Sequence, residues 1–170
     1  MNRSKDGDSI MLDASSTAVY VAKTLLEQGK KNLTVLTNSV EIIIELFGAQ
    51  DWKVLSTGGE SREGSFALVG YQTDRMLRSY HVDKAIISAK GIDMNAGLTD
   101  SDDLHANNKR TMLTRAKKKL LAVDSSKFDQ VAFAEIGSLD QITTIVTDAK
   151  PETRWLQHFD KIGVKCIYPK

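Results

Sequence analysis

The order of apolar and polar positions along the chain predicts short strands that alternate with longer helices. Apolar runs such as "SIMLD", "LTVLT", "KAIISA", "LLAVD" and "ITTIVTD" are separated by segments in which apolar residues recur at helical spacing. The predicted helices run from about residue 16 to 30, 40 to 49, 72 to 79, 104 to 119 and 151 to 162, and "GIDMNAGLTDSDD" is expected to be a loop. Such alternation is typical of a mostly parallel sheet. Because the strands are almost continuously apolar, we expect an α/β fold of three layers, with helices on both faces of the sheet.

Length, charge and cysteine content narrow the class of protein. The chain of 170 residues contains no linker or repeat, so residues 1–170 are predicted to be a single domain. Twenty-three basic against 22 acidic side chains leave a net charge of +1, which does not suit a dedicated nucleic-acid binder. The single cysteine, Cys166, is expected to be a buried thiol in a reducing compartment. The three histidines share no short spacing, so no zinc site is expected. The sequence shows no apolar core of a signal peptide and no run long enough to span a membrane, which favours the cytoplasm.

Small polar residues follow five of the predicted strands. Because the carboxyl ends of parallel strands meet at one edge of a sheet, where open α/β folds bind ligands, we expect these residues to form one polar crescent. Hydroxyl groups, backbone N–H groups at helix N-termini and two lysines suit an anionic, hydroxyl-rich small molecule. The polar crescent comprises Asp13 to Thr17, Thr37 to Ser39, Thr57 to Glu60, Ser88 to Asp93 and Asp124 to Lys127.

Residues of this kind also have an ordinary structural role. Ser16, Ser39 and Ser126 stand where a hydroxyl group caps a helix, and for any one of them capping is the more common role. The two roles are compatible, because a helix N-terminus that binds phosphate uses the same donors. No nucleophile elbow surrounds Ser16, and "TGGE" is too short to be a phosphate-binding fingerprint. The basic segment "NKRTMLTRAKKKLL" is interpreted as a solvated face, with Lys117 to Lys119 closing a helix, in preference to a nucleic-acid patch.

The strand-end motifs occur in an order that resembles a known family. From about Asp6 to Tyr168, the series "GDSIMLDASST", "LTVLTNS", "TGG", "SFALVGYQTDRML", "DKAIISAKGID", "GLTD", "KRTML", "LLAVDSSKF" and "ITTIVTD" closely resembles the C-terminal sensor domain of DeoR-type bacterial transcriptional regulators. The resemblance implies the fold of ribose-5-phosphate isomerase, glucosamine-6-phosphate deaminase and the CoA transferases. It also implies a domain that senses a phosphorylated sugar or related metabolite, represses genes for its use, and forms homodimers or homotetramers.

The resemblance also implies ligand contacts throughout the polar crescent. Lys109 is added by the resemblance alone, as a helix lysine that reaches back toward the pocket, and its replacement by alanine is expected to remove the ligand response with little loss of stability. Ser15 stands where relatives usually have glycine, which narrows the backbone conformations of the first loop. Lys90 stands where relatives more often have an acidic or polar residue. The predicted ligand-binding residues are Asp13, Ser15, Ser16, Thr17, Thr37, Asn38, Ser39, Gly58, Gly59, Ser88, Ala89, Lys90, Gly91, Asp93, Lys109, Asp124, Ser126 and Lys127.

Two functions fit this sequence. The first is a sensor that has no catalytic residues, metal or cofactor and whose ligand alters DNA binding by an attached winged helix-turn-helix module. That module is expected to be absent from this chain, so we expect the chain itself to bind neither DNA nor a membrane. The second is an isomerase or deaminase on the same fold, for which Asp93 and Glu60 are the candidate bases. A shared fold is weak support for catalysis, and the resemblance favours the sensor.

Overall fold

A seven-stranded parallel sheet forms the centre of the computed structural model, which describes residues 5–169. Residues 1–4 and Lys170 of the predicted domain therefore lie outside the described residues. The strands in chain order are β1 (Ser9–Leu12), β2 (Thr34–Thr37), β3 (Lys53–Ser56), β4 (Glu60–Ser61), β5 (Leu68–Val69), β6 (Val82–Ile87), β7 (Gly91–Asp93), β8 (Gly97–Asp100), β9 (Ala116–Ala122), β10 (Ala134–Gly137), β11 (Thr144–Val146) and β12 (Lys165–Ile167). The parallel sheet has the strand order β12-β11-β9-β6-β1-β2-β3.

Helices cover both faces of this sheet, and alternate residues of strand β1 show how. Ile10 and Leu12 of β1 are buried in one apolar cluster with Leu25 of the first helix. Met11, between them, is buried in the opposite cluster with Trp155 of the last helix. The expected three-layer α/β fold is therefore confirmed. The helices are α1 (Ser16–Glu27), α2 (Val40–Glu45), α3 (Tyr71–Arg78), α4 (Asp103–Arg115) and α5 (Thr153–Lys161).

The order of the strands reverses beside β1. The chain moves outward from β1 to β2 and β3, and then returns to place β6 on the other side of β1. From β6 it moves outward in the opposite direction through β9, β11 and β12. Loops that follow β1 and β6 consequently diverge, and a divergence of this kind opens a crevice at the carboxyl edge of the sheet.

Two small antiparallel sheets accompany the parallel one. β4 pairs with β5 in a hairpin, and β8 pairs with both β7 and β10. The expected loop "GIDMNAGLTDSDD" is therefore wrong, since it contains the hairpin of β7 and β8. The carboxylate of Asp93 closes the turn by accepting the N–H groups of Asn95 and Ala96, both at 2.8 Å. Glycines and turn residues weaken the strand signal here, and β10, which supports the hairpin, is distant in sequence.

Several helices end earlier than the apolar pattern predicts. α1 ends at Glu27, before Gly29 adopts a left-handed φ of 64°, which favours glycine and stops a helix. α4 ends at Arg115 because the chain continues directly as β9, which pairs with β6 and β11. The expectation that Lys117 to Lys119 close a helix is therefore wrong, because these lysines lie on β9. Strand pairing with distant segments decides this boundary, and helical periodicity does not detect it.

The capping serines are also partly reassigned. Ser39 caps α2 as predicted, whereas α1 is capped by Ser15, and Ser16 is its first residue. Asp124, in place of Ser126, caps the short 3₁₀ turn that follows it. An N-cap residue needs extended backbone with its side chain turned back to the helix, and Ser15 meets this condition with φ −82° and ψ 151°.

The structure also bears on two expectations drawn from composition. Among residues 5–169, no helix is long and apolar enough to cross a membrane. Cys166 lies on the edge strand β12 and is half-buried, although full burial was expected. This partial burial raises the pKa of the thiol. A raised pKa disfavours the reactive thiolate, so the residue is suited to packing.

Candidate functional site

A polar cavity of about 740 Å³ opens at the carboxyl edge of the sheet, beside the reversal in strand order. Its walls come from the loops after β1, β6 and β9, which are neighbours at the centre of the sheet. The first turn of α1, the tip of the β4–β5 hairpin and the start of α4 complete the walls. The fold itself therefore creates the space that the sequence led us to expect at the strand ends.

Half of the predicted ligand-binding residues line this cavity. A further one, Asp13, lies against it and contacts the lining residue Lys109. The agreement is confined to three neighbouring strand ends and to α4. The predicted residues in the lining are Ser15, Ser16, Thr17, Ser88, Ala89, Lys90, Lys109, Asp124 and Lys127.

Asp13 organises the loop after β1. Its side chain is buried, and Oδ1 accepts hydrogen bonds from Ser15 Oγ at 2.5 Å and Ser15 N at 3.2 Å. Oδ2 accepts the backbone N–H of Ser88 at 2.9 Å, which joins the loops after β1 and β6. The Ser15 hydroxyl accepts the N–H of Ala18 at 3.1 Å. With φ −82°, the backbone of Ser15 does not require glycine, and the serine side chain adds two contacts that glycine lacks.

Lys109 is the cation at the base of the cavity. Its Nζ lies 2.5 Å from Asp100 Oδ2 and 3.3 Å from Asp13 Oδ2, and all three side chains are buried. Burial alone would lower the pKa of Lys109, but the two carboxylates outweigh this effect and raise the pKa. Lys109 therefore carries a positive charge, and the two carboxylates already compensate that charge. Removing Lys109 would leave two buried carboxylates facing each other without a cation. We therefore expect the loss of Lys109 to destabilise the fold, in contrast to the expectation from the sequence that its loss spares stability.

The mouth of the cavity carries cations and hydrogen-bond donors. Lys90 is exposed there, and Lys127 lies close to Asp124. The pKa of Asp124 is lowered, mainly by the hydroxyl of Ser126 and to a smaller degree by the charge of Lys127. The first turn of α1 adds free backbone N–H groups and the positive end of the helix dipole. This end of the cavity therefore suits an anionic group, whereas the base offers partners for hydroxyl groups.

The end of β2 lies outside the cavity lining, although it was predicted to bind the ligand. The Thr37 hydroxyl donates to the carbonyl of Leu12 at 2.8 Å, and Asn38 Nδ2 donates to the carbonyl of Leu68 on β5 at 3.0 Å. Ser39 forms a bridge with the β4–β5 hairpin, beyond its role as the cap of α2. The hairpin therefore covers this strand end, and Asn38 and Ser39 hold the hairpin in place.

The remaining predicted residues are also outside the lining: Gly58, Gly59, Gly91, Asp93 and Ser126. A Cβ atom on Gly59 would lie 2.1 Å from Thr73 Oγ1, and one on Gly91 would lie 2.3 Å from the carbonyl oxygen of Gln130. Both glycines are therefore required for close packing. At Gly58, φ is 62° and the space around the Cβ position is open.

Sequence reasoning missed the residues that approach the cavity from outside the strand ends. Asp102 caps α4, because its Oδ1 accepts the N–H groups of Leu104 and His105 at 3.0 and 3.1 Å, and it also forms a salt bridge with Arg62. Burial alone would raise the pKa of Asp102, but the hydrogen bonds from the His105 N–H and from Arg62 outweigh this effect and lower the pKa. The acidic run "TDSDD" before α4 was a visible signal, whereas nothing marked the hairpin tip. The missed lining residues are Arg62, Glu63, Gly64, Ser65, Asp100, Ser101, Asp102 and His105.

A polar cavity at the reversal point of a parallel sheet is typical of α/β domains that bind small polar ligands. The chain belongs to the family of the DeoR C-terminal sensor domain, whose model matches residues 2–149. It is 41% identical over 145 residues to the uncharacterized HTH-type transcriptional regulator YulB of Bacillus subtilis, covering 85% of this chain and 55% of the relative. It is 36% identical over 146 residues to the L-fucose operon activator of Escherichia coli, covering 86% of this chain and 59% of that relative. It is 28% identical over 152 residues to the glycerol-3-phosphate regulon repressor of Escherichia coli, covering 89% of this chain and 60% of that relative. The chain thus spans between 55% and 60% of the length of these relatives.

Solved structures share the fold with this domain. Ribose 5-phosphate isomerase A from Methanocaldococcus jannaschii matches with a TM-score of 0.51 and 18% identity, covering 74% of this chain and 48% of that chain. The eIF2B delta subunit from Chaetomium thermophilum matches with a TM-score of 0.55 and 21% identity, covering 84% of this chain and 50% of that chain. The isomerase-like fold implied by the resemblance is therefore confirmed. At these identities the likeness concerns the fold alone.

Proposed function

We propose that this domain binds a phosphorylated sugar or a related metabolite in the polar cavity and thereby controls an attached DNA-binding module. The observation that carries the proposal is the division of the cavity into two ends. The mouth offers Lys90, Lys127 and the N-terminus of α1, and the base offers the carboxylate of Asp100 beside the ammonium of Lys109. A phosphate group suits the first end, and sugar hydroxyl groups suit the second.

The relatives support a ligand of this class. The names of two of them refer to an L-fucose operon and to a glycerol-3-phosphate regulon, that is, to a sugar and to a phosphorylated metabolite. The names include both an activator and a repressor, and we propose the repressor role for the whole protein. We further propose that the domain acts as a homodimer or homotetramer and leaves DNA contact to the attached module.

The ligand would act by joining elements that are separate in sequence. The cavity is lined by loops after β1, β6 and β9, by the β4–β5 hairpin and by α4, so a ligand bound there lies between these elements. To change DNA binding, the ligand must have a higher affinity for one arrangement of domains or subunits than for the other. Rearrangement of these elements on binding supplies that difference.

Catalysis is the less supported function. The two carboxylates that the sequence suggested as bases, Asp93 and Glu60, are outside the cavity lining, and Asp93 closes a turn. Asp100, which does line the cavity, is bound to Lys109 at 2.5 Å. A base must reach the proton that it abstracts, so the sensor is the function that the site supports better.

The test is a binding screen on the 170-residue chain. We expect one or a few of glucose 6-phosphate, fructose 1-phosphate, ribose 5-phosphate and glycerol 3-phosphate to raise the melting temperature at millimolar concentration, because a ligand that binds the folded state stabilises it. Lys90→Met should weaken this effect, whereas Lys53→Met, on β3 and outside the lining, should leave it unchanged. Stabilisation by none of these compounds would contradict the proposal, and their conversion, followed by NMR, would favour the enzyme.

A further inference from the structure

The tip of the β4–β5 hairpin brings a cation to the cavity that belongs to no strand end. Arg62 follows β4, is partly exposed with 45% of its side chain accessible, and lines the cavity. Its Nη2 donates to Asp102 Oδ2 at the start of α4. The backbone around it forms a turn, with Arg62 N donating to Ala67 O at 2.9 Å and Ser65 N donating to Arg62 O at 3.2 Å. The guanidinium group therefore spans the space between the hairpin tip and α4.

This ion pair differs from that of Lys109 in how easily it can be exchanged. Lys109 is held between two buried carboxylates, so moving its ammonium group would leave two buried negative charges without a cation. Asp102 has 17% of its side chain accessible to water, and its Oδ1 keeps two backbone N–H partners after Arg62 departs. Exposed pairs of this kind contribute little to stability, whereas broken buried pairs are costly. Of the two lining cations that form salt bridges among the described residues, Arg62 is consequently the one that can change partner at low cost.

The charge balance of the cavity makes such an exchange useful. In the described part of the chain, four cationic and four carboxylate side chains line the cavity: Arg62, Lys90, Lys109 and Lys127 against Glu63, Asp100, Asp102 and Asp124. A phosphate monoester brings up to two negative charges into a site whose cations are already matched by these carboxylates and by Asp13, which contacts Lys109. A cation released from its carboxylate partner compensates for that charge, and the planar guanidinium group can form two parallel hydrogen bonds with a phosphate group.

We propose that Arg62 transfers from Asp102 to the phosphate group of the bound ligand and so draws the tip of the β4–β5 hairpin onto the cavity. The inference rests on the proposed function and adds to it a residue that selects phosphorylated over neutral sugars. A neutral sugar cannot replace the carboxylate of Asp102, and leaves the hairpin where it is. Asp102 caps α4, and α4 also carries Lys109 at the base of the cavity. The transfer of Arg62 to the phosphate group therefore changes the contacts of α4 when the ligand binds.

The test compares Arg62→Gln, Asp102→Asn, the double variant and a control, Asp103→Asn, by calorimetric titration with the four sugar phosphates above and with inorganic phosphate. Arg62→Gln should weaken binding of a phosphate monoester about tenfold, the usual loss for a charge-assisted hydrogen bond. Asp102→Asn should tighten binding about two- to fivefold, because it frees Arg62 while asparagine still caps the helix. Asp103 is an exposed neighbour with no salt bridge to Arg62, so Asp103→Asn removes an equal charge and measures the general electrostatic effect.

The decisive quantity is the coupling between the two positions. In the Arg62→Gln background, Asp102→Asn should change affinity no more than Asp103→Asn does. Ligand should also slow amide exchange at Ser65 in the wild type and not in Arg62→Gln. If Arg62 only holds the hairpin, Arg62→Gln and Asp102→Asn will shift affinity in the same direction, and the inference is overturned while the function stands. If the wild type binds none of the probes, the proposed function and the inference fail together.

Discussion

Lys109 on α4 and Asp13 after β1 form a buried ion pair, with Nζ and Oδ2 3.3 Å apart. The pair connects a helix on one face of the sheet to the loop that follows β1. Asp13 extends the connection to the loop after β6 through the N–H of Ser88, at 2.9 Å. Three elements of the cavity wall are therefore held by one small group of buried charges, and this group is part of the folded structure before any ligand binds.

Replacement of Lys109 by methionine should strongly destabilise the fold. The free energy of unfolding should fall by about 3–5 kcal/mol, because two buried carboxylates would lose their shared cation. Lys118→Met, on an exposed position of β9, should change it by less than about 0.5 kcal/mol. Urea unfolding followed by the fluorescence of the buried Trp155 measures both. A loss under 1 kcal/mol for the first variant, on the order of a surface change, would show that the cluster is not structural.

Ser15 should contribute to stability as a helix cap. Ser15→Ala removes the acceptor of the Ala18 N–H and the donor to Asp13, and should lower the free energy of unfolding by about 1–2 kcal/mol. Ser15→Gly should cost less than the alanine variant, because glycine is tolerated at N-caps. The control is Ser16→Ala, in the first turn of α1, which should cause no loss, since alanine favours helices. Equal thermal stability of Ser15→Ala and Ser16→Ala would contradict the capping role.

The two adjacent glycines after β3 should respond differently to alanine. At Gly59, φ is 115° and a Cβ atom would lie 2.1 Å from Thr73 Oγ1 and 2.6 Å from Val69 O, so Gly59→Ala should cost about 3 kcal/mol or more. At Gly58, φ is 62° in open space, and Gly58→Ala should cost only about 1 kcal/mol for the left-handed backbone. Chemical denaturation of the two variants checks the difference. Similar losses would mean that packing against Thr73 does not restrict this turn.

Asp74 should make the stability of the domain depend on acid pH. Its carboxylate accepts hydrogen bonds from Arg78 Nε at 2.6 Å within α3, and from Thr111 Oγ1 at 2.6 Å and Asn107 Nδ2 at 3.3 Å, and the last two link α3 to α4. Burial alone would raise the pKa of Asp74, but these partners outweigh it and lower the pKa below the ordinary value of 3.8. Because the pKa of Asp74 is lower in the folded state than in the unfolded state, its carboxylate stabilises the fold fully above pH 3.8, the ordinary pKa. This stabilisation is lost as the pH falls through the pKa of the folded state.

Asp74→Asn should therefore lower the free energy of unfolding by about 1–2 kcal/mol at neutral pH, and the difference from wild type should shrink as the pH falls below about 4. Asp160→Asn, at an exposed position of α5, is the matched control and should show little effect at any pH. Unfolding curves recorded from pH 7 to about pH 2.5 provide the comparison. A difference between Asp74→Asn and wild type that stays constant over this range would contradict the assigned hydrogen bonds.

Much of the fold could be predicted because its signals are local. The apolar runs of β1, β2, β6 and β9 alternate with amphipathic segments, and this pattern is enough to predict a parallel sheet covered on both faces. Ser39 was correctly predicted as a cap because the preference for hydroxyl residues at N-caps is local as well. The boundary between α4 and β9 was missed, since the strand is decided by pairing with β6 and β11.

The sequence by itself determined the three-layer architecture, the family and the edge of the sheet at which polar residues collect, because these depend on periodicity and on the order of motifs. Tertiary structure alone decided which strand ends form the cavity. The end of β2 is covered by the β4–β5 hairpin, whereas the ends of β1, β6 and β9 stay open beside the reversal in strand order. It also decided that Lys109 faces Asp13 and that Arg62 reaches Asp102, 40 residues further along the chain. Contacts between such distant residues follow from how helices and hairpins pack on the sheet, and no local pattern of the sequence encodes them.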